Sequence, residues 1–374
     1  MNANGECFMN NPGQKPEDKN GEGKEIGLME FRVAGGLSIR AVKLLILAAN
    51  FLAAGCDEKG RLPAPGGQSG WPAQVREVEI VSSLDGQRQK ALFWAPAEAR
   101  EAVPLLVNLH TWSGDYRQDL GVAFFEEARR RGWVFIHPDF RGPNRRPEAT
   151  GSLLATADII DAVNFARQAA RVDSCRIYLA GTSGGGHLSL LTAARAPGVW
   201  AGVSAWVPIT DLARWHAECV ERSLDYALEL EASCGGAPGA GEEIDRQYHL
   251  RSSFGQLGQA AGVAIEINTG IHDGHDGSVP VGQTLRAFNE LAQANGRPEA
   301  VIDEQAIERF ETGETVPPEL ASEREDDPDY GNNQVLFRRS AGPARVTVFE
   351  GGHEGIPRAA CDWLSRQHKC AGEP

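Results

Sequence analysis

The stretch that decides the fold is RIYLAGTSGGG, which runs from residue 176 to residue 186. Its apolar first half is typical of a buried strand, and the part from Gly181 to Gly185 is a G-x-S-x-G pattern that opens a helix. A sharp turn between strand and helix strains the central residue, and flanking glycines let the two elements approach closely. The stretch therefore predicts a nucleophile elbow, with the hydroxyl of Ser183 at the amino end of a helix. A Gly/Ser loop without a function is the alternative.

Strands and helices alternate on both sides of this stretch. The pattern predicts strands at residues 75–81, 89–94, 104–110, 133–137, 176–180, 199–207, 263–268 and 345–350, and helices at 123–131, 153–171, 185–194, 281–294 and 359–367. The first two strands flank a turn at Asp85-Gly86 and predict an antiparallel pair, whereas the later strands are short and apolar. We expect an α/β fold of the α/β-hydrolase type, with a mostly parallel central sheet and helices on both faces.

Two stretches interrupt the alternation within a domain predicted at residues 73–374. Residues 212–260 follow the sixth core strand and predict a cap insertion over the carboxyl edge of the sheet. Residues 297–340 form an acidic insertion, in which the stretch 297–329 carries twelve acidic and three basic residues. Such a run predicts a solvated face, with recruitment of a cation as the alternative.

The overall charge argues against one class of partner. The 374 residues include 37 basic and 51 acidic side chains, a net charge of −14. A protein that coats nucleic acid needs the opposite balance to neutralise phosphates, so we expect no nucleic acid partner.

Residues 1–55 are predicted to be a leader that is not part of the fold. Arg40 and Lys43 precede the short apolar run LLILAANFLAAG at 44–55, and Cys56 follows. A basic flank, a short apolar segment and small residues before a cleavage site form an export signal, with a buried helix as the alternative.

The residues at the end of this run indicate how the chain is anchored. Ala-Ala-Gly-Cys at 53–56 resembles a bacterial lipoprotein box, which implies lipidation of Cys56, although Ala53 stands where the box usually has Leu. We expect a periplasmic or cell-surface lipoprotein, or a secreted protein if cleavage is of the ordinary kind. Residues 56–72 are then a flexible Pro/Gly tether.

A serine hydroxyl needs a general base. His353 lies in GGHEG at 351–355, in a predicted loop between the last strand and the closing helix, and its glycines let this loop fold over the serine. His272 and His275, which follow an earlier strand, are the rival bases.

The third member is an acid that orients the base, and in this fold it lies between serine and histidine in chain order. The stretch GIHDGHDGSVP at 270–280 offers Asp273 and Asp276. Together with His272 and His275, these two acids could instead bind a metal. We expect no metal and no cofactor, because the elbow already requires an acid here.

Two backbone amides are needed to hold the developing oxyanion. Gly184, directly after the nucleophile, supplies one. The loop His110-Thr111-Trp112-Ser113-Gly114 resembles the H-G-x-x-G loop of α/β-hydrolases, which makes the Trp112 amide the second donor, with Thr111 in place of the usual Gly. His110 is expected to fix this loop rather than to act in catalysis.

Several of these motifs together resemble the catalytic domain of the prolyl oligopeptidase family and its esterase relatives. The shared pieces are HPDFRG at 137–142, Asp158-x-x-Asp161, GTSGGG at 181–186, D-x-x-V-P at 276–280 and GGHEG at 351–355. The D-x-x-V-P match favours Asp276 as the acid, and Asp273 remains the alternative.

The resemblance implies a serine hydrolase that forms an acyl-enzyme on Ser183, but it leaves the substrate open. Peptidases of this family place a β-propeller ahead of the catalytic domain, and about 45 residues separate the leader from the first core strand here. An ester or a peptide bond is therefore expected, in a small-molecule ester, a glycan ester or a short peptide. An acetyl or feruloyl esterase and a catalytically inactive binding module are the alternatives.

Large side chains near the motifs are candidates for the substrate pocket. They are Trp206, Trp215 and Arg141, with Arg145 and Arg146 nearby. The alternatives are exposed or core positions for the tryptophans and a solvated loop for the arginines.

Five cysteines lie beyond Cys56. In an oxidising compartment, Cys219–Cys234 and Cys361–Cys370 are plausible local bridges, and Cys175 is expected to be a small buried side chain.

Overall fold

A mostly parallel sheet forms the centre of the molecule. The computed structural model describes residues 70–97 and 99–369, and its strands in those ranges are β1 (Arg76–Val81), β2 (Arg88–Trp94), β3 (Val103–Leu109), β4 (Val134–Pro138), β5 (Val172–Thr182), β6 (Gly202–Trp206), β7 (Ile265–Gly270), β8 (Val335–Ala341) and β9 (Ala344–Phe349). The predicted leader and the lipidation site at Cys56 lie outside the described residues.

The strands are joined mainly by helices. These are α1 (Leu120–Arg131), α2 (Leu153–Ala169), α3 (Gly184–Arg195), α4 (Leu212–Glu221), α5 (Tyr226–Cys234), α6 (Glu242–Arg251), α7 (Val281–Ala294), α8 (Glu304–Gly313) and α9 (Pro357–Leu364), with short 3-10 turns at Leu257–Ala260, Pro298–Ala300, Pro318–Glu323 and Pro328–Tyr330. None of the helices in the described ranges is both long and apolar enough to cross a membrane.

The sheet order is β1-β2-β4-β3-β5-β6-β7-β9-β8. β1 pairs antiparallel with β2, as the turn at Asp85-Gly86 predicts, and β2 pairs antiparallel with β4. The strands from β4 to β9 along this order are parallel, so their carboxyl ends meet at one edge. The predicted α/β class with a mostly parallel sheet is confirmed.

The sequence pattern missed the last edge strand. β8 pairs antiparallel with β9 through a tight turn in which Gly342 has a φ of 63°. A hairpin of this kind needs no helix between its strands, so a pattern of alternating strands and helices does not reveal it.

Burial on both faces explains why the central strands are continuously apolar. Along β3, Leu105 and Val107 point to a core shared with α2 and α3, whereas Leu106 points to a second core shared with α1 and α9. Each full burial of such a side chain contributes roughly 1.5–3 kcal/mol. The two layers hold the carboxyl edge of the sheet in place.

The segment between β6 and β7 packs on the loop that follows β3. Its helices α4, α5 and α6 form a separate apolar cluster with Trp112, which includes Leu212, Trp215 and Tyr248. The side chain of Asp211 starts α4 by accepting hydrogen bonds from the amides of Ala213 and Arg214. This segment therefore contacts one of the predicted oxyanion residues directly.

The acidic insertion is more than a solvated face. Its carboxylates pair with arginines of α7 and β8. Arg286 of α7 contacts Glu304 and Glu311, while Arg338 of β8 contacts Glu325 and Asp327. The side chain of Arg338 is only 5% exposed, so this guanidinium needs those carboxylates. Part of the negative charge thus neutralises buried cations.

Candidate active site

Ser183 occupies the turn between β5 and α3. Its backbone has φ 59° and ψ −119°, a conformation that costs a residue with a Cβ about 1–3 kcal/mol. The amide of Ser183 donates to the carbonyl of Trp206 in β6, 2.8 Å away, and this bond helps to hold the strained turn. A Cβ at Gly181 would lie 2.3 Å from the backbone of Gly185, so the close strand-to-helix turn requires glycine there.

His353 lies in the loop between β9 and α9. Its Nδ1 donates to Oδ2 of Asp273 over 2.7 Å, and Gly355 of the same loop packs on the residue before the nucleophile. A Cβ at Gly355 would lie 2.5 Å from Thr182 Oγ1. The loop that carries His353 thus packs against the nucleophile elbow.

Burial would by itself lower the pKa of His353. The charge of Asp273 and its hydrogen bond outweigh that effect and raise the pKa above the ordinary histidine value of 6.5. No hydrogen bond joins the Ser183 hydroxyl to His353 among the described residues, as is common for such pairs before substrate binds.

The prediction that Asp276 is the partner of His353 is wrong, because the partner is Asp273. Asp273 is buried, and its Oδ1 accepts from the amides of Gly274 and Val279. Asp276 is exposed and lies three residues further along the turn. Asp273 is only three residues beyond Gly270, the end of β7, and this proximity keeps its carboxylate at the sheet edge. This short separation in sequence between the strand end and Asp273 was the signal that could have identified the acid.

The two rival histidines, His272 and His275, contact the acidic insertion. His272 places its two ring nitrogens 2.7 Å from Glu314 Oε2 and 2.7 Å from Glu350 Oε1. Each ring nitrogen thus faces one carboxylate, which favours the imidazolium form. The hydrogen bonds to these carboxylates raise the pKa of His272. His275 Nε2 donates to the backbone carbonyl of Glu311 in the acidic insertion, 2.6 Å away, rather than facing the elbow.

His272 therefore joins three segments. Glu314 belongs to the acidic insertion, Glu350 immediately precedes the glycines of the His353 loop, and His272 itself precedes Asp273. The amide of His272 also donates to the carbonyl of Gly351 at 3.0 Å. Within the described ranges, no group of three His, Cys, Asp or Glu side chains is arranged to hold a metal ion.

Gly184 and Trp112 lie side by side at the elbow. A Cβ at Gly184 would be 2.4 Å from the Trp112 nitrogen, which shows how closely the two backbones approach. Neither amide has a hydrogen-bond acceptor among residues 70–97 and 99–369. Two such amides beside a nucleophile fit the requirement for an oxyanion hole.

Hydrogen bonds of His110 and Thr111 hold the loop that carries Trp112. The two ring nitrogens of His110 lie 2.9 Å and 2.8 Å from the carbonyls of Thr111 and Asp139, and its ring stacks on Phe140 at 3.9 Å. Thr111 bonds Gln118 through both its amide and its hydroxyl. His110 has the loop-fixing role predicted for it.

The segment between β6 and β7 also holds this loop, through contacts with the side chain of Trp112. The indole nitrogen of Trp112 donates to Glu229 Oε2 at 2.7 Å, and the ring packs edge-on against Trp215 at 4.8 Å. Sequence reasoning missed Glu229, because a single acid on a helix carries no distinguishing pattern.

The three residues predicted to line the substrate pocket are all buried and contact other residues of the fold. Trp206 is fully buried in the core and donates to Ser204 Oγ, and Trp215 is buried and donates to the carbonyl of Ser278. Arg141 is buried between Asp85 and Asp158, so it fastens the β1–β2 turn to α2. An indole or guanidinium in the sequence does not disclose which face of the sheet it occupies.

The cysteines also differ from prediction. Cys219, Cys234 and Cys361 are free and buried, and Cys175 is disulfide-bonded. The expected Cys219–Cys234 and Cys361–Cys370 bridges are therefore wrong, as is the description of Cys175 as a small apolar side chain.

An α/β-hydrolase sheet with a strained serine at the elbow and a histidine–carboxylate pair beside it is the arrangement of serine hydrolases, and this chain is one. Residues 128–315 match the prolyl oligopeptidase family, and this stretch covers just over half of the 374 residues. The chain belongs to that family. No curated protein matches its sequence significantly.

Solved structures with the same fold include both peptidases and esterases. The Pyrococcus horikoshii acylaminoacyl peptidase is 16% identical, with 80% of this chain and 42% of that chain covered and a TM-score of 0.52. A Mycobacterium tuberculosis puromycin-hydrolyzing peptidase is 17% identical, with 78% and 38% covered and a TM-score of 0.51. An acetyl xylan esterase from Paenibacillus sp. R4 is 16% identical, with 80% and 86% covered and a TM-score of 0.51. This chain thus spans about two fifths of the peptidases and most of the esterase.

Proposed function

We propose that this protein hydrolyses an ester or peptide bond through an acyl-enzyme on Ser183, with His353 as general base and Asp273 as the orienting acid. The observation that carries the proposal is the hydrogen bond of 2.7 Å between His353 Nδ1 and Asp273 Oδ2, in a loop packed on the elbow. That bond leaves Nε2 as the nitrogen that accepts a proton, which is the tautomer a general base requires.

The reaction takes two steps. Ser183 Oγ attacks the acyl carbon while its proton passes to His353 Nε2, and the amides of Gly184 and Trp112 hold the oxyanion. The imidazolium then gives its proton to the departing alcohol or amine. Water, deprotonated by the same imidazole, releases the acid and restores the serine.

An ester is the first substrate class to test. The acetyl xylan esterase is the neighbour of which this chain spans most of the length, and it supports acetyl or other acyl esters of a glycan or small alcohol. A short peptide is the second candidate, and the family match supports it. Comparison of p-nitrophenyl acetate with aminoacyl p-nitroanilides separates the two classes.

An active-site probe tests the acyl-enzyme itself. A fluorophosphonate is expected to label wild-type protein at Ser183, identified by peptide mass spectrometry, and not to label Ser183→Ala. Folded wild-type protein that stays unlabelled and hydrolyses no substrate in the panel would instead be a binding module of the same fold.

We also propose that the protein is exported and anchored by a lipid on Cys56. The order of a basic flank, apolar run and Ala-Ala-Gly-Cys supports this, and a disulfide at Cys175 is compatible with an oxidising compartment. Radiolabelled palmitate should be incorporated in a bacterial host and lost in Cys56→Ser, while the matched leader variant Cys7→Ser retains it. Equal labelling of both variants contradicts the anchor.

A further inference from the structure

A cavity of about 290 Å³ opens beside His353. Its walls come from α1 on one side and from the His353 loop on the other, and they include Leu120, Gly121, Phe124, Gly355 and Pro357. Thr182, which precedes the nucleophile, also lines it. The cavity thus adjoins both the base and the elbow.

The entrance and the walls are largely apolar. Leu120 is 59% exposed although it is a large aliphatic side chain, and Ala123 beside it is exposed on the same helix. Phe124 lies behind them and is buried. Glu354 is the charged residue at this rim, and its carboxylate disfavours an anionic ligand.

Polar residues also contribute to the wall, among them Thr111, Gln118 and the buried His137. His137 of β4 is 1% exposed, and neither ring nitrogen forms a hydrogen bond of ordinary geometry with a described residue. Burial lowers the pKa of His137 to about 3, with His110 acting in the same direction and the Asn108 backbone opposing it. The ring is therefore neutral at pH 7 and adds no charge to the wall.

We propose that this cavity binds the leaving group of the substrate, which deepens the proposed function and rests on it. After the acyl-enzyme forms, the imidazolium must protonate the departing atom, so the leaving group lies on the imidazole side of the acyl carbon. The cavity adjoins the base, since His353 is part of its wall, and it therefore fits this position.

Size and chemistry define the class of leaving group. A volume of about 290 Å³ is at the lower end of ligand pockets and suits one ring-sized group rather than an extended chain. Mostly apolar walls, an acidic rim and a neutral imidazole favour an uncharged alcohol with an apolar body.

The test varies the alcohol while the acyl group stays constant. In Ala123→Leu, which narrows the entrance, the ratio of kcat/KM for benzyl acetate to kcat/KM for methyl acetate should fall about tenfold. The matched control Ala169→Leu, an exposed alanine of α2 outside the cavity, should keep the wild-type ratio. An unchanged ratio in Ala123→Leu overturns the proposal.

A second series distinguishes the leaving group from the acyl group. With methanol as the constant alcohol, methyl acetate and methyl phenylacetate should keep their wild-type ratio in Ala123→Leu. A change here, with no change in the alcohol series, assigns the cavity to the acyl group and overturns the proposal. Failure of wild-type protein to hydrolyse every ester and to react with a fluorophosphonate refutes the proposed function instead.

Discussion

The backbone strain at Ser183 separates two effects of changing this residue. Ser183→Ala removes the hydroxyl but keeps the Cβ and the strain at φ 59°. Ser183→Gly also relieves the strain, worth about 1–3 kcal/mol, and loses part of this gain to unfolded-state entropy of roughly 0.5–1 kcal/mol.

We expect both variants to lose turnover and only Ser183→Gly to gain stability, by about 1 kcal/mol. Urea unfolding of the three proteins measures this difference. A glycine variant that is less stable than the alanine variant contradicts the strain at the elbow.

The pKa of His353 sets the acidic side of the pH profile. The imidazole must be neutral to accept the serine proton, and Asp273 raises its pKa above 6.5 against the opposing effect of burial. Wild-type kcat/KM should therefore be constant at high pH and fall tenfold per pH unit below an apparent pKa above 6.5. In Asp273→Asn the residual activity should show this fall at lower pH. Burial still lowers the pKa of His353 in this variant, and the carboxylate that raises it is gone. A midpoint that does not move contradicts the assignment.

At the scale of secondary-structure elements, Arg141 fastens the β1–β2 turn to α2. Its guanidinium bonds Asp85, Asp158 and Ser82, and the side chain of Asp158 is almost fully buried. Arg141→Met should leave Asp158 unpaired and lower the free energy of unfolding by about 3–5 kcal/mol.

KM for p-nitrophenyl acetate should be unchanged in folded Arg141→Met, since Arg141 is not in the cavity beside His353. Chemical unfolding and steady-state kinetics measure the two quantities. A raised KM with an unchanged free energy of unfolding would indicate that Arg141 contacts the substrate.

The contact between the acidic insertion and the Asp273 loop is expected to depend on pH. His272 pairs with Glu314 and Glu350, which raise its pKa above 6.5. The stabilisation is therefore complete below pH 6.5 and is lost as the pH rises through the raised value. Because these side chains are partly exposed, its size is about 0.2–1 kcal/mol.

Glu314→Gln should lower the melting temperature at pH 6 and leave it nearly unchanged at pH 9.5. Glu319→Gln, which removes an exposed carboxylate paired with Arg309 in the same insertion, is the matched control. An equal effect of Glu314→Gln at both pH values contradicts the ion pair.

At the scale of the whole molecule, the sequence was sufficient for features that local chemistry determines. The elbow needs glycines around a serine between a strand and a helix, and GGHEG places a histidine in a loop after the last strand. Both patterns are contained in a few neighbouring residues, and the structure has the elbow and the loop where they were predicted.

Features that depend on distant contacts were not predictable in the same way. Asp273 and Asp276 differ in whether the turn after β7 directs them inward, and the amides of Gly274 and Val279 hold Asp273 in its buried position. The indoles of Trp206 and Trp215 are buried by elements far away in sequence. The acids of the insertion pair with Arg286 and Arg338, which a local charge count does not show.

The most direct test of the Ser183–His353–Asp273 arrangement compares two neighbouring aspartates. Asp273→Asn should lower kcat for p-nitrophenyl acetate by about 10³–10⁴, because an amide holds the wrong imidazole tautomer and cannot stabilise the imidazolium. The exposed Asp276→Asn should stay within twofold of wild type, with both variants folded by circular dichroism. The reverse order, in which Asp276→Asn is inactive and Asp273→Asn retains full activity, would contradict this account.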